Sequence, residues 1–376
     1  MAGWFFWRQP AFSLAHKFTM KSYLYILGIV LLAFIIILAV YELGDLPNRH
    51  NNGFKRTYFF PAYSGSHELR LRDTLFEIIG STATTIFVST AAEGEILGIG
   101  KGLDGTVRRI KIPFFARYYD SLQLSSLSIG IDSPRIYLFA ENKPAIVKTR
   151  FDSARFEISI LPPGAFTREA MIDTDRFILR KYESKLTDQI FVRYDLRTGQ
   201  LKKERGISQL YGDGGMITDG QLRVDQRSGG VYYMYFYRNL LLAFDTSLRS
   251  VRKFSSRDTV RSFQLKTGLV RNGPTTAYTN ITPANIINKA TCVQDGLLYN
   301  MSTLKADNET DEFFSGHSVI DIINLKNGHY LGSIDLPVFD GRKIAQFVVS
   351  GHTLIALYTN SMVTYDLDLT IDRRDQ

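Results

Sequence analysis

Few residues in this chain have the type and spacing that chemistry needs. The six histidines are His16, His50, His67, His317, His329 and His352. His67, His317 and His352 each follow Gly-Ser or Ser-Gly, a turn composition, whereas a metal site would need three rigidly held ligands. There is no H-E-x-x-H, no G-x-S-x-G and no phosphate-binding P-loop. Gly98, Gly100 and Gly102 stand in a strand pattern with no helix after them, so they make no dinucleotide fingerprint. The single Cys292 excludes an internal disulfide and a cysteine-based zinc site. It sits in the apolar run ATCVQDGLLYN and reads as a small buried residue. The insert KADNETDEFFSG (Lys305–Gly316) carries Asp307, Glu309, Asp311 and Glu312. It resembles a calcium loop by charge alone, lacking the central Gly and the bidentate Glu, and reads as a solvated acidic loop. N-x-[ST] sequons stand at Asn280, Asn300 and Asn308. No catalytic set, no metal site and no cofactor is assigned.

One local feature is suited to binding. Tyr237-Arg238-Asn239 ends an otherwise apolar strand. Arg238 there either donates to turn carbonyls, as its fixed fork does well, or faces a ligand. Six residues form the candidate binding set: Tyr237, Arg238, Asn239, Asp307, Asn308 and Glu309. The two clusters fall at equivalent points of adjacent repeat units, so they are expected on one face with opposite charges near each other. Should Arg238 and Asp307 only pair internally, an exposed bridge would contribute ~0–1 kcal/mol.

These positions depend on a repeat. From Thr57 onward helical periodicity is nearly absent, and short β-rich runs alternate with turn residues. Each unit has an apolar strand, a short gap, and a second strand ending on Asp or Asn. The pairs are TIFVST with EILGIGKGLDG, RIYLFA with AIVKTRFD, RFILRKY with QIFVRYDLRTG, VYYMYFYRN with LLLAFDTSL, LLYNMST with HSVIDIINLKNG, and LIALYT with MVTYDLDL. The turn residues are Asp104, Asp152, Asp195, Asp245, Asn324 and Asp366, apt for local side-chain hydrogen bonds. Six units of about four strands predict an all-β, six-bladed β-propeller over 57–376. Its middle strands, covered on both faces, should be apolar on both. The last unit supplies about three good strands, so FKRTYFF (Phe54–Phe60) is expected to complete it and close the ring. The chain between Asp245 and Asn324 is longer than the other steps, and inserts on a rigid scaffold often carry function.

Ahead of the repeat lies YLYILGIVLLAFIIILAVY, residues 23–41. It contains no charge and no Pro, and as a helix reaches ~28 Å, close to the ~30 Å hydrocarbon core of a bilayer. The stretch from Met20 has the shape of an export signal but lacks a small-residue cleavage site. It therefore reads as an uncleaved signal anchor, a single N-terminal transmembrane helix. Residues 1–22, with Arg8, Lys17, Lys21 and no acid, form a short cytoplasmic flank. Residues 42–56 are a polar linker. The chain is thus expected in a bacterial inner membrane, with the propeller periplasmic. The formal charge of +8 is spread without a basic tract, which argues against nucleic-acid binding.

The stretches TDGQLRVDQRSGGVYYMYFYRN (Thr218–Asn239), LKADNE (Leu304–Glu309) and SVIDIINLKNGHYLGSIDLP (Ser318–Pro337) resemble bacterial exported six-bladed propellers of the TolB-like and NHL-like group. More narrowly, they resemble membrane-anchored bacterial propellers of that group. The resemblance implies a fold and no activity. Together these features point to a non-enzymatic module that binds an envelope protein, peptide or glycan. The alternative is a propeller hydrolase or lyase with a divalent metal on the axis.

Overall fold

The structure, a computed structural model, describes residues 20–43, 52–92, 94–112, 127–141, 143–153, 155–272 and 275–369. It separates into two units, Met1–His50 and Asn51–Gln376. In the first, helix α1 runs Met20–Leu43. Its side chains over 24–40 are apolar and exposed throughout. These residues alone reach ~25 Å, short of a ~30 Å bilayer core. Among the described residues no helix is long and apolar enough to cross a membrane. The expected span over 23–41 extends past these residues at both ends. Residues 1–19 of the expected flank and 44–51 of the expected linker lie outside the described residues.

The second unit is a six-bladed propeller of antiparallel four-stranded sheets. Blade 1 is β2 (Leu75–Ser81), β3 (Thr85–Thr90), β4 (Glu95–Gly100) and β5 (Val107–Lys111). Blade 2 is β6 (Leu127–Asp132), β7 (Arg135–Ala140), β8 (Ala145–Arg150) and β9 (Phe156–Ile160). Blade 3 is β10 (Phe166–Met171), β11 (Arg176–Glu183), β12 (Asp188–Asp195) and β13 (Leu201–Glu204). Blade 4 is β14 (Gly220–Asp225), β15 (Gly230–Tyr235), β16 (Leu241–Asp245) and β17 (Arg252–Phe254). A separate hairpin follows, β18 (Thr267–Asn272) with β19 (Thr275–Asn280). Blade 5 is β20 (Asn288–Gln294), β21 (Leu297–Ser302), β22 (His317–Asn324) and β23 (Tyr330–Pro337). Blade 6 is β24 (Gln346–Ser350), β25 (Thr353–Leu357), β26 (Ser361–Leu367) and, from the other end of the chain, β1 (Tyr63–Arg70).

The strand pairs legible in the sequence are the second and third strands of the six blades. Both of their faces pack on neighbouring blades, so β7, β15, β21 and β25 are almost wholly buried. Their side chains form clusters that cross from blade to blade. Tyr137 and Phe139 of blade 2 meet Phe177 of blade 3, and Phe191 of blade 3 meets Tyr233 and Phe244 of blade 4. The Asx turns form as expected at four of the six turn residues. Asp104, Asp195, Asp245 and Asn324 accept from the backbone N–H two residues on, at 2.8–3.0 Å. Asp152 instead pairs with Arg150, and Asp366 accepts from Thr353.

The ring closes with an N-terminal strand, but not with Phe54–Phe60. The closing strand is β1, which pairs along β26 from Tyr63↔Leu367 to Arg70↔Ser361. Residues 57–59 make only a short parallel bridge to Ser333 on β23 of blade 5. The reason is Arg56, whose burial draws this segment onto blade 5. Asn52, Phe54 and Arg56, at the end of the expected linker, are bound into the propeller unit.

Closure by β1 has a direct consequence. A chain beginning at Leu71 exposes the unpaired edge of β26 and should aggregate, losing several kcal/mol of pairing and burial. One beginning at Ala62 keeps β1 and loses the contacts of residues 52–59, those of Arg56 foremost, so it should fold and melt at an intermediate temperature. Equal melting of the two in a denaturation scan would assign closure elsewhere.

Candidate functional site

The first strand of each blade is innermost. β2, β6, β10, β14, β20 and β24 line the axis, and packing runs between β2 and β6, β10 and β14, β14 and β20, β20 and β24, and β24 and β2. Two chambers lie along this axis. The wider, about 770 Å³, opens where the second strands end, beside Thr90, Glu141 and Phe236. The narrower, about 350 Å³, reaches the opposite side beside Ser81, Met171 and Val293. They share Glu77, Ile79, Ile129, Glu169, Leu222, Arg223 and Gln346. These residues make a waist, with one long polar side chain from each of blades 1, 3, 4 and 6.

The waist carries charge of both signs. Glu169 accepts from Ser128 Oγ at 2.5 Å. Gln346 is oriented by the Ile78 N–H, which donates to its Oε1 at 2.5 Å, and its side chain also hydrogen-bonds Glu77. Arg223 donates Nε–H to the Thr291 carbonyl and Nη1–H to the Leu222 carbonyl, both at 2.9 Å, and Nη2–H to Gln221 Oε1 at 3.4 Å. Glu77 keeps surface open to the channel while protein surrounds it on most sides. Burial is what raises the Glu77 and Glu169 carboxyls above their usual range. Burial also works against the charge of Arg223, which Glu77 and Glu169 support.

At the wide mouth the charges are mostly matched. Arg168 is fixed by Asp219 at 2.7 Å and by the Gly220 carbonyl, and lies over the Phe236 ring. Asp219 also accepts from Arg180, a fully buried guanidinium that Gly215 and Thr218 hold in place. Glu141, on the wall, is pushed up to about 7 by burial and then by the negative charge of Glu169.

The expected binding residues lie around this same mouth, in two groups. Tyr237–Asn239 and Lys305–Gly316 both occupy links from a second to a third strand, so they emerge on one side. Residues 52–58 bridge them. Arg257 donates to the Lys55 carbonyl, and Asn308 exchanges two 3.0 Å hydrogen bonds with the Arg56 backbone. The expected closeness of opposite charge does not involve Arg238. That residue is partly exposed, donates to Gln209 at 3.1 Å and lies over Phe263. The ion pairs form with Arg56 instead. Its Nη1 reaches Glu309 at 2.9 Å and its Nε reaches Asp321 at 2.7 Å, with all three side chains at most 3% exposed. Tyr58 donates to the same Glu309, which also accepts from the Ala306 N–H at 2.9 Å. Asn239 is buried, its side chain bonded to the backbone of Ser256 and Asp258. Asn239, Asn308 and Glu309 therefore fasten loops. Tyr237 is half-buried, and the Asp307 Oδ1 is buried without a hydrogen-bond partner. Thr310 caps a short helix, α2 (Asp311–Gly316), by accepting from the Phe313 N–H, so the acidic insert is folded rather than loose.

The described histidines, His67, His317, His329 and His352, do not converge. His317 stacks on Phe313, and among the described residues no group of three or more His, Cys, Asp or Glu side chains could hold a metal ion. Cys292 is buried, with its thiol pushed up by burial. The waist residues went unrecognised in the sequence. The available signal was a charge inside an otherwise strand-like first segment: LFEII, FTREAM, QLRVD.

No known family model and no curated protein matches this chain. Its structure is similar to that of a DUF4221 family member from Bacteroides vulgatus, at 13% identity, covering 82% of this chain and 98% of that one, TM-score 0.50. It also resembles a streptogramin B lyase, at 8% identity, covering 81% and 98%, TM-score 0.47. A Bacteroides thetaiotaomicron protein of unknown function matches at 10% identity, covering 84% and 75%, TM-score 0.47. At such identity the first likeness speaks for the fold alone, and the other two carry no argument.

Two measurements follow. Arg56→Ala leaves two buried carboxylates without their cation and should destabilise by about 3–5 kcal/mol in chemical denaturation; a loss under ~1 kcal/mol would show that the cluster hydrates freely. The second concerns Glu141, whose folded pKa lies above its unfolded one. The folded state then holds a proton that the unfolded state releases first, so stability is highest in acid and falls as pH rises towards about 7. Glu141→Gln should remove that decline, and parallel melting curves for the two proteins across pH 4.5–7.5, a window of roughly the ordinary to the raised value, would refute the assignment.

Proposed function

We propose that this chain is a membrane-anchored, extracytoplasmic β-propeller that binds an envelope protein, peptide or glycan as a scaffold and performs no reaction itself. The observation that carries the reading is the built-up face around the wide mouth. Five blades supply plain hairpins there at the second-to-third-strand link, whereas blade 5 supplies the Lys305–Gly316 insert, and the hairpin β18–β19 follows blade 4. Loops on a rigid scaffold are where recognition commonly resides. Exposed apolar side chains on the inserted region, Leu269, Val270, Ile281 and Ile286, add a contact surface. Within the candidate set, Tyr237, Arg238 and Asp307 are the partner contacts, while Asn239, Asn308 and Glu309 hold the loops that present them.

The anchor rests on the apolar run 23–41 and on a helix, α1, whose side chains over 24–40 are exposed. A charge-free run of that length is what a bilayer core requires. In this arrangement the N-terminus is cytoplasmic and the propeller periplasmic.

Protease added to spheroplasts should digest the propeller while the chain stays with the membrane; full protection, or release into the medium, refutes the topology. Arg238→Ala should abolish capture of the partner in a membrane pull-down. Its melting temperature should barely move, since an exposed cation–π contact contributes ~0.5–1 kcal/mol. Intact capture with a lowered melting temperature would make Arg238 structural.

A further inference from the structure

We propose that the waist of the axial channel is a site for a small zwitterion of the α-amino-acid type with an apolar side chain: its ammonium group lies between Glu77 and Glu169, its carboxylate on Arg223, and its side chain in the narrower chamber.

Three observations lead there. The first is charge that is placed but unpaired. Glu77 and Glu169 come from blades 1 and 3 and Arg223 from blade 4, yet no ion pair joins them. A guanidinium has five N–H donors. Arg223 directs three of them to Thr291, Leu222 and Gln221, which fixes its plane and leaves one N–H on each Nη. Two N–H groups in that fork suit one carboxylate. The second is orientation. Ser128 holds one oxygen of Glu169 and leaves Oε2 open, and the Ile78 N–H locks the Gln346 amide against Glu77. The acids are thereby held as acceptors on two sides of one space. The third is the wall beyond them. Ile79, Ile131, Met171, Val293 and Val348 line the narrower chamber of about 350 Å³, at the lower end of small-molecule site sizes. An ammonium alone would leave Arg223 unanswered, and a carboxylate alone would face two acids. A ligand with both groups on one carbon answers all three side chains.

The site is independent of partner binding at Arg238, so either reading can fail without the other. The test is titration calorimetry on the purified full chain with L-leucine, leucinamide and 4-methylpentanoate. L-leucine should bind saturably at millimolar concentration or better, and each analogue, lacking one charged group, should bind about tenfold or more weakly. Glu169→Gln, Glu77→Gln and Arg223→Gln should each weaken L-leucine by a similar factor. The two Glu→Gln variants keep the side-chain shape and remove a charge that no cation pairs, so they should melt no lower than the parent, which separates lost binding from lost folding. No saturable L-leucine binding, equal binding of 4-methylpentanoate, or undiminished affinity in folded Glu169→Gln and Glu77→Gln would each overturn the proposal.

Discussion

The pairing of β1 with β26 is the constraint on which the rest depends. A propeller blade buries its faces only if it has a neighbour on each side, and the first and last blades become neighbours only if the ring closes. Here the chain end that lies before blade 1 is folded back into blade 6, so separating the two blades means breaking a sheet. Once that holds, the six innermost strands are fixed around one axis, and the channel, its waist and its wide mouth follow. The distances in the waist are set by closure rather than by loops. Glu77, Glu169, Arg223 and Gln346 stand on four separate sheets that cannot move independently.

Closure also explains the buried cation at Arg56. The segment 52–58 must pass blade 5 before β1 can begin, and Arg56 is where it is fastened, between Glu309 of the insert and Asp321 of β22. An apolar side chain there could stabilise as well or better, because removing charges from water is expensive. What the guanidinium adds is direction. It joins the entering chain, the blade 5 insert and the middle of the blade 5 sheet through five hydrogen bonds, two of them bidentate with Asp321. An apolar contact would not specify that register. The insert is consequently held beside the mouth, where Arg238 of blade 4 also emerges.

What could be read from the sequence follows from how each strand is covered. RIYLFA, VYYMYFY and LIALYT announce themselves because both faces of a middle strand are buried, which demands apolar residues at successive positions. Blade number and the turn positions came from these strands. Outer strands such as VRRIK, LKKE and RKF need only backbone pairing on one side, and their side chains are largely solvated. The closing strand YSGSHELR is of that kind, mostly exposed. FKRTYFF looks more like a strand, yet its aromatic and cationic residues serve burial of Phe54 and Arg56. Composition reports burial, and in this region burial and strand pairing are separated. The candidate site was legible in the same partial way. The face was readable because equivalent links of a repeat share a face. The partners were not, because Glu309 answers a residue more than two hundred and fifty positions away.

The waist differs in kind from these misread edges. Nothing in the fold requires charge there. The innermost strands pack through their apolar positions, such as Ile79, Ile131 and Leu222, and an axis lined by small or apolar residues would close the same ring. Placing two carboxyls and a guanidinium around one partly open channel with no ion pair among them works against stability, in line with the upward displacement of both acids by burial. Direct pairing would relieve that, but each is oriented by Ser128, Gln346 or a backbone carbonyl rather than by the opposite charge. Arg56, Glu309 and Asp321 show that this chain forms a tight buried ion cluster where structure needs one. At the waist the same residue types are held apart. A local rule broken without a structural gain is the mark of a position kept for something the folded chain alone does not contain.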